Sequence, residues 1–298
     1  MLDEKGKFAD PHMESLLPAV KFSRRGFIAS SASVAGFALS AGPVAAQTAI
    51  TTDAEGVEGL DIKVPVSGGQ MPGYIATPAK AGKFPTVFVV PEVFGMHRYQ
   101  QDICRRLAKI GYVGVTFDPF FRSGDLSKIA DIKEVISKAN SLADDVMLAD
   151  LDAVVAFAEK QKKVNAAKMG ITGMCRGGRS VWMAVAHSKK FKAGVSWYGG
   201  LNPMPPAMPK TPHDVVANLN APVLGLYAGA DSGIPTALVA RLQEVLAKGN
   251  KNAKASTFIL YPDVPHAFHA DYRPTYRKPQ AEAAWKEMLD WFKQHGVA

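Results

Sequence analysis

The hexapeptide at residues 173–178 (Gly-Met-Cys-Arg-Gly-Gly) constrains the fold of this chain more than any other stretch. Residues 168–172 are short, mostly apolar and partly β-branched, as in a strand, whereas residues 176–187 carry small and apolar side chains at helical spacing. The pattern predicts a strand, a tight turn and a helix, with Cys175 at the apex. Such a turn holds a nucleophile in a strained conformation at the end of a sheet, and flanking glycines let strand and helix approach.

A lone cysteine in such a turn is more often a buried structural residue, but two later segments support a catalytic role for this one. An apolar strand at 223–228 leads to Asp231, and a strand at 256–261 leads to a loop with His266. The order nucleophile, acid, histidine, each after a strand, is that of the α/β-hydrolases. We therefore predict a Cys175-His266-Asp231 triad.

Two other residues compete for places in the triad. Asp263 is an alternative acid, but it immediately precedes the histidine loop, where a triad acid is not expected. His269 lies three residues after His266 and is an alternative base. We prefer Asp231 and His266 for these roles.

Catalysis of acyl transfer also needs two donors for the oxyanion of the tetrahedral intermediate. The turn supplies the backbone amide of Arg176, and the loop after a buried strand at 86–91 supplies that of Val93. The N-terminus of the helix after Cys175 directs its partial positive charge at the sulfur, which favours the thiolate.

Five stretches resemble the dienelactone hydrolase (carboxymethylenebutenolidase) family, whose nucleophile is cysteine rather than serine. They are residues 91–95, 118–122, 173–178, 197–200 and 266–268. The resemblance extends from Val57 to the C-terminus. It implies a hydrolase of ester or lactone bonds that acts on a small molecule without a metal or cofactor. The alternatives are a general carboxylesterase or another acyl hydrolase of the same fold, and a non-enzymatic exported thiol or redox protein, which would need neither His266 nor Asp231.

The resemblance also implies roles for four further side chains. Glu92 matches a glutamate that contacts the resting cysteine and controls its ionisation, and Arg122 matches an arginine that binds the substrate carboxylate. The second such arginine of the family stands a few residues after the catalytic histidine. Here the spacing differs and Arg273 comes later, so the match of Arg273 to this second anion-binding arginine departs from the family pattern, and the exact substrate stays open. Tyr198 is expected to line the pocket.

Strands alternate with helices along the rest of the chain, which predicts a mostly parallel central sheet with helices on both faces, the α/β-hydrolase fold. Residues 57–64 and 71–78 are predicted to form a hairpin at the sheet edge. We expect a flexible lead-in at 47–56 and a single domain at 57–298. The remaining predicted strands are 112–117 and 193–197, and the remaining helices are 99–110, 129–142, 144–162, 235–248 and 280–295.

Composition excludes several other classes of protein. The 298 residues carry a formal net charge of +8, but the lysines are scattered and are not interleaved with aromatic residues, which argues against a nucleic-acid partner. No metal-binding motif is present. Of the two cysteines, Cys104 lies on the predicted buried face of a helix and is read as structural.

The amino-terminal segment resembles a twin-arginine export signal. Residues 23–28 (Ser-Arg-Arg-Gly-Phe-Ile) open a weakly apolar run that ends at a small-residue cleavage site, Val44-Ala45-Ala46. A membrane anchor is the alternative, but the run contains Ser, Gly and Pro43 and would barely span a bilayer. We expect residues 1–46 to be removed by the export machinery, no stable membrane anchor, and a periplasmic or otherwise extracytoplasmic enzyme.

Overall fold

Eight strands form one sheet in the part of the chain described by the computed structural model, residues 49–203 and 206–298. The strands are β1 Val57–Val66, β2 Gly69–Pro78, β3 Phe84–Val90, β4 Val113–Phe117, β5 Val164–Met174, β6 Ala193–Trp197, β7 Val223–Ala228 and β8 Thr257–Tyr261. Their spatial order is β1-β2-β4-β3-β5-β6-β7-β8. The hairpin β1-β2 and its pairing with β4 are antiparallel, and all other neighbours are parallel. The predicted mostly parallel sheet is confirmed.

Helices connect the parallel strands and cover the sheet. They are α1 Arg98–Lys109, α2 Ile132–Ser141, α3 Asp144–Glu159, α4 Arg176–His187, α5 Pro212–Val215, α6 Thr236–Lys248, α7 Lys251–Ala255 and α8 Lys278–Gln294. From β3 the chain moves through α1 to β4 on one side, and from β5 it moves through α4 to β6 on the other. Because such crossovers are right-handed, α1 and α4 lie on opposite faces. The expected α/β-hydrolase fold is therefore the observed one.

Most predicted boundaries agree with the structure, and the exceptions have local causes. The helix predicted from residue 129 begins at Ile132, because the side chain of Asp131 accepts a hydrogen bond from the Lys133 amide (2.9 Å) and caps it. Strand β5 begins at Val164, four residues before the predicted start. The short helices α5 and α7 were not predicted, since four or five residues are too few for a periodic pattern.

The stretch before β1 contacts the domain in its described part. The Thr52 amide donates to the Asp102 carboxylate (2.7 Å) on α1, and Lys109 at the end of the same helix pairs with Asp53. These contacts tie part of the expected lead-in to α1. The predicted export signal lies outside the described residues, and no helix within them combines the length and apolarity needed to cross a bilayer.

The carboxyl ends of the parallel strands gather at one edge of the sheet. The loops that follow β3, β5, β6, β7 and β8 at this edge carry Glu92, Cys175, Tyr198, Asp231 and His266. Ligand sites of open α/β sheets lie at this edge.

Candidate active site

The turn between β5 and α4 places Cys175 in a strained left-handed conformation, with φ 55° and ψ −116°. Its amide donates to the Trp197 carbonyl (3.0 Å) on β6, which fixes the turn to the neighbouring strand. A Cβ on Gly177 would lie 2.2 Å from the Val90 carbonyl oxygen, and one on Gly173 would lie 2.4 Å from the Gly177 oxygen. Only glycine fits at both positions, so the expected close approach of strand and helix is present.

Asp231 and His266 form a buried hydrogen-bonded pair. Asp231 Oδ2 lies 2.6 Å from His266 Nδ1, and Oδ1 accepts hydrogen bonds from the amides of Gly233 (2.9 Å) and Ile234 (3.2 Å). This arrangement orients the carboxylate, and Nδ1 is the ring nitrogen of His266 that contacts Asp231, whereas Nε2 does not. Asp263 is exposed and does not share this environment.

The charge state of His266 reflects its neighbours. Burial by itself lowers the pKa of His266, but the charges of Asp231 and Cys175, together with hydrogen bonds to both, outweigh it and raise the pKa to about 10. The imidazole is therefore favoured in its protonated form beside the cysteine. An imidazolium next to a thiol stabilises the thiolate.

The two predicted oxyanion donors are backbone amides, and their role stays a prediction. Within the described part of the chain, the amides of Val93 and Arg176 donate to no other group. The Arg176 amide belongs to the first turn of α4, where amides have no partner within the helix.

Glu92 is buried beside two aromatic residues that the sequence did not indicate. Its buried carboxylate accepts a hydrogen bond from the Tyr272 hydroxyl through Oε1, and the same oxygen lies 3.6 Å from His97 Nε2. The other carboxylate oxygen, Oε2, is buried and has no hydrogen-bond partner among the described residues, and the predicted contact of Glu92 with Cys175 stays a prediction.

Arg122 is also held elsewhere. Its guanidinium pairs with both oxygens of Asp150 on α3 (2.7 and 2.8 Å) and donates to the Ser67 carbonyl in the β1-β2 turn. These contacts hold the guanidinium between the β1-β2 turn and α3, and the predicted role of Arg122 in substrate binding stays a prediction.

Arg273 and Tyr198 lie in the site. The Tyr198 ring is 5.0 Å from the His266 ring. Burial raises the pKa of the Tyr198 hydroxyl well above its usual value, as do Glu92 and Cys175, while the charge of Arg273 opposes the rise. The buried Arg273 guanidinium also lies 5.7 Å from the Phe94 ring centroid. Of the two candidate anion-binding arginines, Arg273 is the one whose charge acts on Tyr198, the residue beside His266.

Comparison with known proteins places this chain in a family. The dienelactone hydrolase family matches residues 71–296. The chain belongs to the dienelactone hydrolase family. A candidate carboxymethylenebutenolidase of Methylorubrum extorquens is 47% identical over 291 residues, which cover 97% of this chain and 99% of that protein. One from Escherichia coli K12 is 42% identical over 264 residues, 88% of this chain and 96% of that protein.

A solved structure supports the same assignment. The crystal structure of a candidate dienelactone hydrolase from Klebsiella pneumoniae matches with a TM-score of 0.76 and 38% identity, over 80% of this chain and 99% of that one. The chain is thus a hydrolase of the carboxymethylenebutenolidase-like family.

Several residues around this candidate site have no signal in the sequence, and one of them holds His269, the alternative base. His97 caps α1 and its ring lies 5.2 Å from that of Tyr272, which packs 5.3 Å from Tyr99. The Tyr99 hydroxyl lies 2.6 Å from His269 Nδ1. Burial and the charge of Arg106 lower the pKa of His269 to about 3, so it stays neutral and is held by Tyr99.

The remaining predictions concern metals and the second cysteine. No group of three or more potential metal ligands occurs among the described residues. Cys104 is buried on α1, no disulfide joins it to Cys175, and burial raises the pKa of its thiol. Its position agrees with a structural role.

Proposed function

We propose that this family member hydrolyses an ester or lactone bond through Cys175, His266 and Asp231. The observation that carries the proposal is the buried 2.6 Å hydrogen bond between Asp231 and His266, with the imidazole beside Cys175 at the strained turn. The thiolate of Cys175 attacks the carbonyl carbon, and its proton resides on His266 Nε2. The amides of Val93 and Arg176 stabilise the oxyanion.

Collapse of the tetrahedral intermediate breaks the bond to the leaving oxygen, which takes the proton from His266. A thioester on Cys175 remains. His266 then removes a proton from water, the hydroxide attacks the thioester carbonyl, and the thiolate leaves. Asp231 holds the ring in one tautomer and stabilises the imidazolium in both halves of the reaction.

The substrate we propose is a small lactone or ester that carries a carboxylate, bound by the buried guanidinium of Arg273 with Tyr198 beside it. A guanidinium binds a carboxylate with two parallel hydrogen bonds. One observation favours the second candidate, a general carboxylesterase. Arg122, expected as the other anion-binding residue, is occupied by Asp150, which leaves fewer cations for an anionic substrate. The non-enzymatic alternative is dropped, because the family is one of hydrolases.

We also propose that the enzyme is exported by the twin-arginine route and works outside the cytoplasm. The support is the pair Arg24-Arg25 followed by a weakly apolar run and a small-residue cleavage site. This route moves folded proteins, so the domain would fold around Cys175 in the reducing cytoplasm before export.

Turnover of cis- and trans-dienelactone by the purified protein tests the proposal, with p-nitrophenyl acetate as a neutral ester. We expect hydrolysis of both classes by the wild type and none above background by Cys175→Ala. One equivalent of iodoacetamide is expected to label Cys175 and abolish activity. Full activity after stoichiometric labelling, or in Cys175→Ala, would remove Cys175 as the nucleophile. Activity on the neutral ester alone would favour the general carboxylesterase.

A further inference from the structure

The side chain of Arg176, as distinct from its amide, is buried with few partners of opposite charge. Only 3% of the side chain is exposed. Nη1 donates to Ser180 Oγ (2.8 Å) and Nη2 to the Leu142 carbonyl (3.4 Å), both neutral acceptors. Nε has no hydrogen-bond partner in the described part of the chain.

One carboxylate serves two guanidinium groups here. Asp144 Oδ1 lies 3.8 Å from Arg176 Nη2, but Asp144 accepts its two short hydrogen bonds, 2.6 and 2.7 Å, from Arg179. The Arg179 side chain is also buried, with 1% exposed. The neighbouring Asp145 is exposed and bonds the amide of Val146. The cluster of Arg176, Arg179 and Asp144 therefore carries one unbalanced positive charge.

A buried charge without a counter-charge is costly. Burial and the charge of Arg179 lower the pKa of Arg176 to about 10, whereas Asp144 and Cys175 act in the opposite direction. Cys175 directly precedes Arg176 at the start of α4 and is itself buried, so a negative charge on its sulfur offsets part of this unbalanced positive charge. By reciprocity, the guanidinium stabilises the negative form of Cys175.

We propose that Arg176 is a positioning residue and that the positive charge of its guanidinium holds Cys175 as a thiolate. The inference deepens the proposed function and rests on it. The titratable groups of the described residues that act on Cys175 include His266, which supplies a second positive charge, and Tyr198, which remains neutral. Beyond Tyr198 lie Glu92, bonded to Tyr272, and the cation Arg273.

The pH dependence of Cys175 alkylation by iodoacetamide tests this inference, with mass spectrometry to distinguish Cys175 from Cys104. Arg176→Gln removes the charge and can still donate a hydrogen bond. We expect its alkylation midpoint to move to higher pH by about one unit, with roughly tenfold slower labelling below the midpoint. Arg176→Lys keeps the charge and is expected to restore most of the wild-type profile.

Two further variants separate charge from structure. Ser180→Ala breaks the hydrogen bond to Arg176 and leaves the charge, so its profile is expected to match that of the wild type. Asp144→Asn removes the shared carboxylate, increases the unbalanced positive charge, and is expected to move the midpoint to lower pH. A shift in Ser180→Ala equal to that in Arg176→Gln would indicate a structural role and overturn the inference.

The inference is also overturned if the Arg176→Gln profile superimposes on that of the wild type, or if Asp144→Asn moves the midpoint upward. If Arg176→Gln does not fold, Asp144→Asn still decides the question by the direction of its shift. Alkylation reports the thiolate whether or not the thiol is the nucleophile. Lactone turnover by Cys175→Ala therefore tests the proposed function separately.

Discussion

At the scale of single residues, the position of Cys175 depends on neighbours that have no side chain. A Cβ on Gly178 would lie 2.5 Å from the Trp197 oxygen, and Gly173 and Gly177 are as tightly packed. Backbone strain of this kind costs about 1–3 kcal/mol and persists only where the surroundings impose it. Three glycines thus allow β5, α4 and β6 to hold the cysteine in a conformation that a cysteine rarely adopts.

The first prediction distinguishes the two candidate acids. Asp231→Asn removes the carboxylate that orients His266 and is expected to lower kcat by about 10³- to 10⁴-fold. Asp263→Asn is the matched control, because Asp263 is exposed and close in sequence to the same histidine. It is expected to change kcat little. Steady-state kinetics on dienelactone measures both, and the reverse order would mean that Asp263 is the acid.

The second prediction links His266 to the pH dependence of stability. Burial lowers the pKa of His266, but the charges of Asp231 and Cys175 outweigh burial and raise the pKa from 6.5 to about 10. Because the folded pKa exceeds the unfolded one, the stabilisation is fully present below about pH 6.5 and is lost as the pH rises through 10. We expect the melting temperature of the wild type, relative to His266→Gln, to fall between pH 7 and 10. A constant difference across this range would contradict the raised pKa.

At the scale of elements, Arg122 joins parts of the fold that are distant in sequence. It links the β1-β2 turn, through Ser67, to α3, through Asp150. The Asp150 side chain is 3% exposed and that of Arg122 is 28% exposed. Arg122, which is partly exposed, therefore supplies hydrogen bonds to the buried carboxylate of Asp150.

The third prediction follows from this contact. Arg122→Met leaves the Asp150 carboxylate buried without its partner and is expected to lower the free energy of unfolding by about 2 kcal/mol, discounted for the exposure of Arg122. Urea denaturation measures the loss. The activity of the folded variant is expected to change equally for a carboxylate-bearing lactone and a neutral ester. A selective loss on the lactone would return Arg122 to substrate binding.

The fourth prediction concerns the loop between β8 and α8, which carries Arg273. Charge-assisted hydrogen bonds contribute about 1.5–3 kcal/mol each, so Arg273→Met is expected to lower kcat/KM for a carboxylate-bearing lactone by roughly 10- to 150-fold. The neutral ester p-nitrophenyl acetate makes no such contact and serves as the control. If Arg273→Met lowers kcat/KM relative to the wild type by the same factor for both substrates, the general carboxylesterase is favoured.

At the scale of the whole molecule, the proposed reaction is confined to one edge of the sheet. The strand ends converge there, whereas the predicted export signal precedes the domain in sequence. The fifth prediction is that export removes residues up to Ala46. N-terminal sequencing of the extracytoplasmic protein is expected to begin near Gln47. Recovery of membrane-bound protein that retains residues 27–46 would indicate an anchor instead.

The sequence by itself determined the order of strands and helices, the turn at Cys175 and the family. These depend on local patterns, such as apolar runs, glycines beside the apex and the order of Cys175, Asp231 and His266. The bounds of β6, β7 and α4 were predicted to the residue for the same reason. The fold class and family are confirmed, and the catalytic roles stay predictions.

Only the tertiary structure decided which polar side chains meet. Arg122 pairs with Asp150, 28 residues away, and Glu92 pairs with Tyr272, 180 residues away. A buried carboxylate takes whichever donor the packing brings within reach, and that depends on the crossing of β-strands and helices rather than on neighbouring sequence. The sequence shows that Arg122, Arg273 and Arg176 can each carry a charge, but their burial and partners determine where that charge acts.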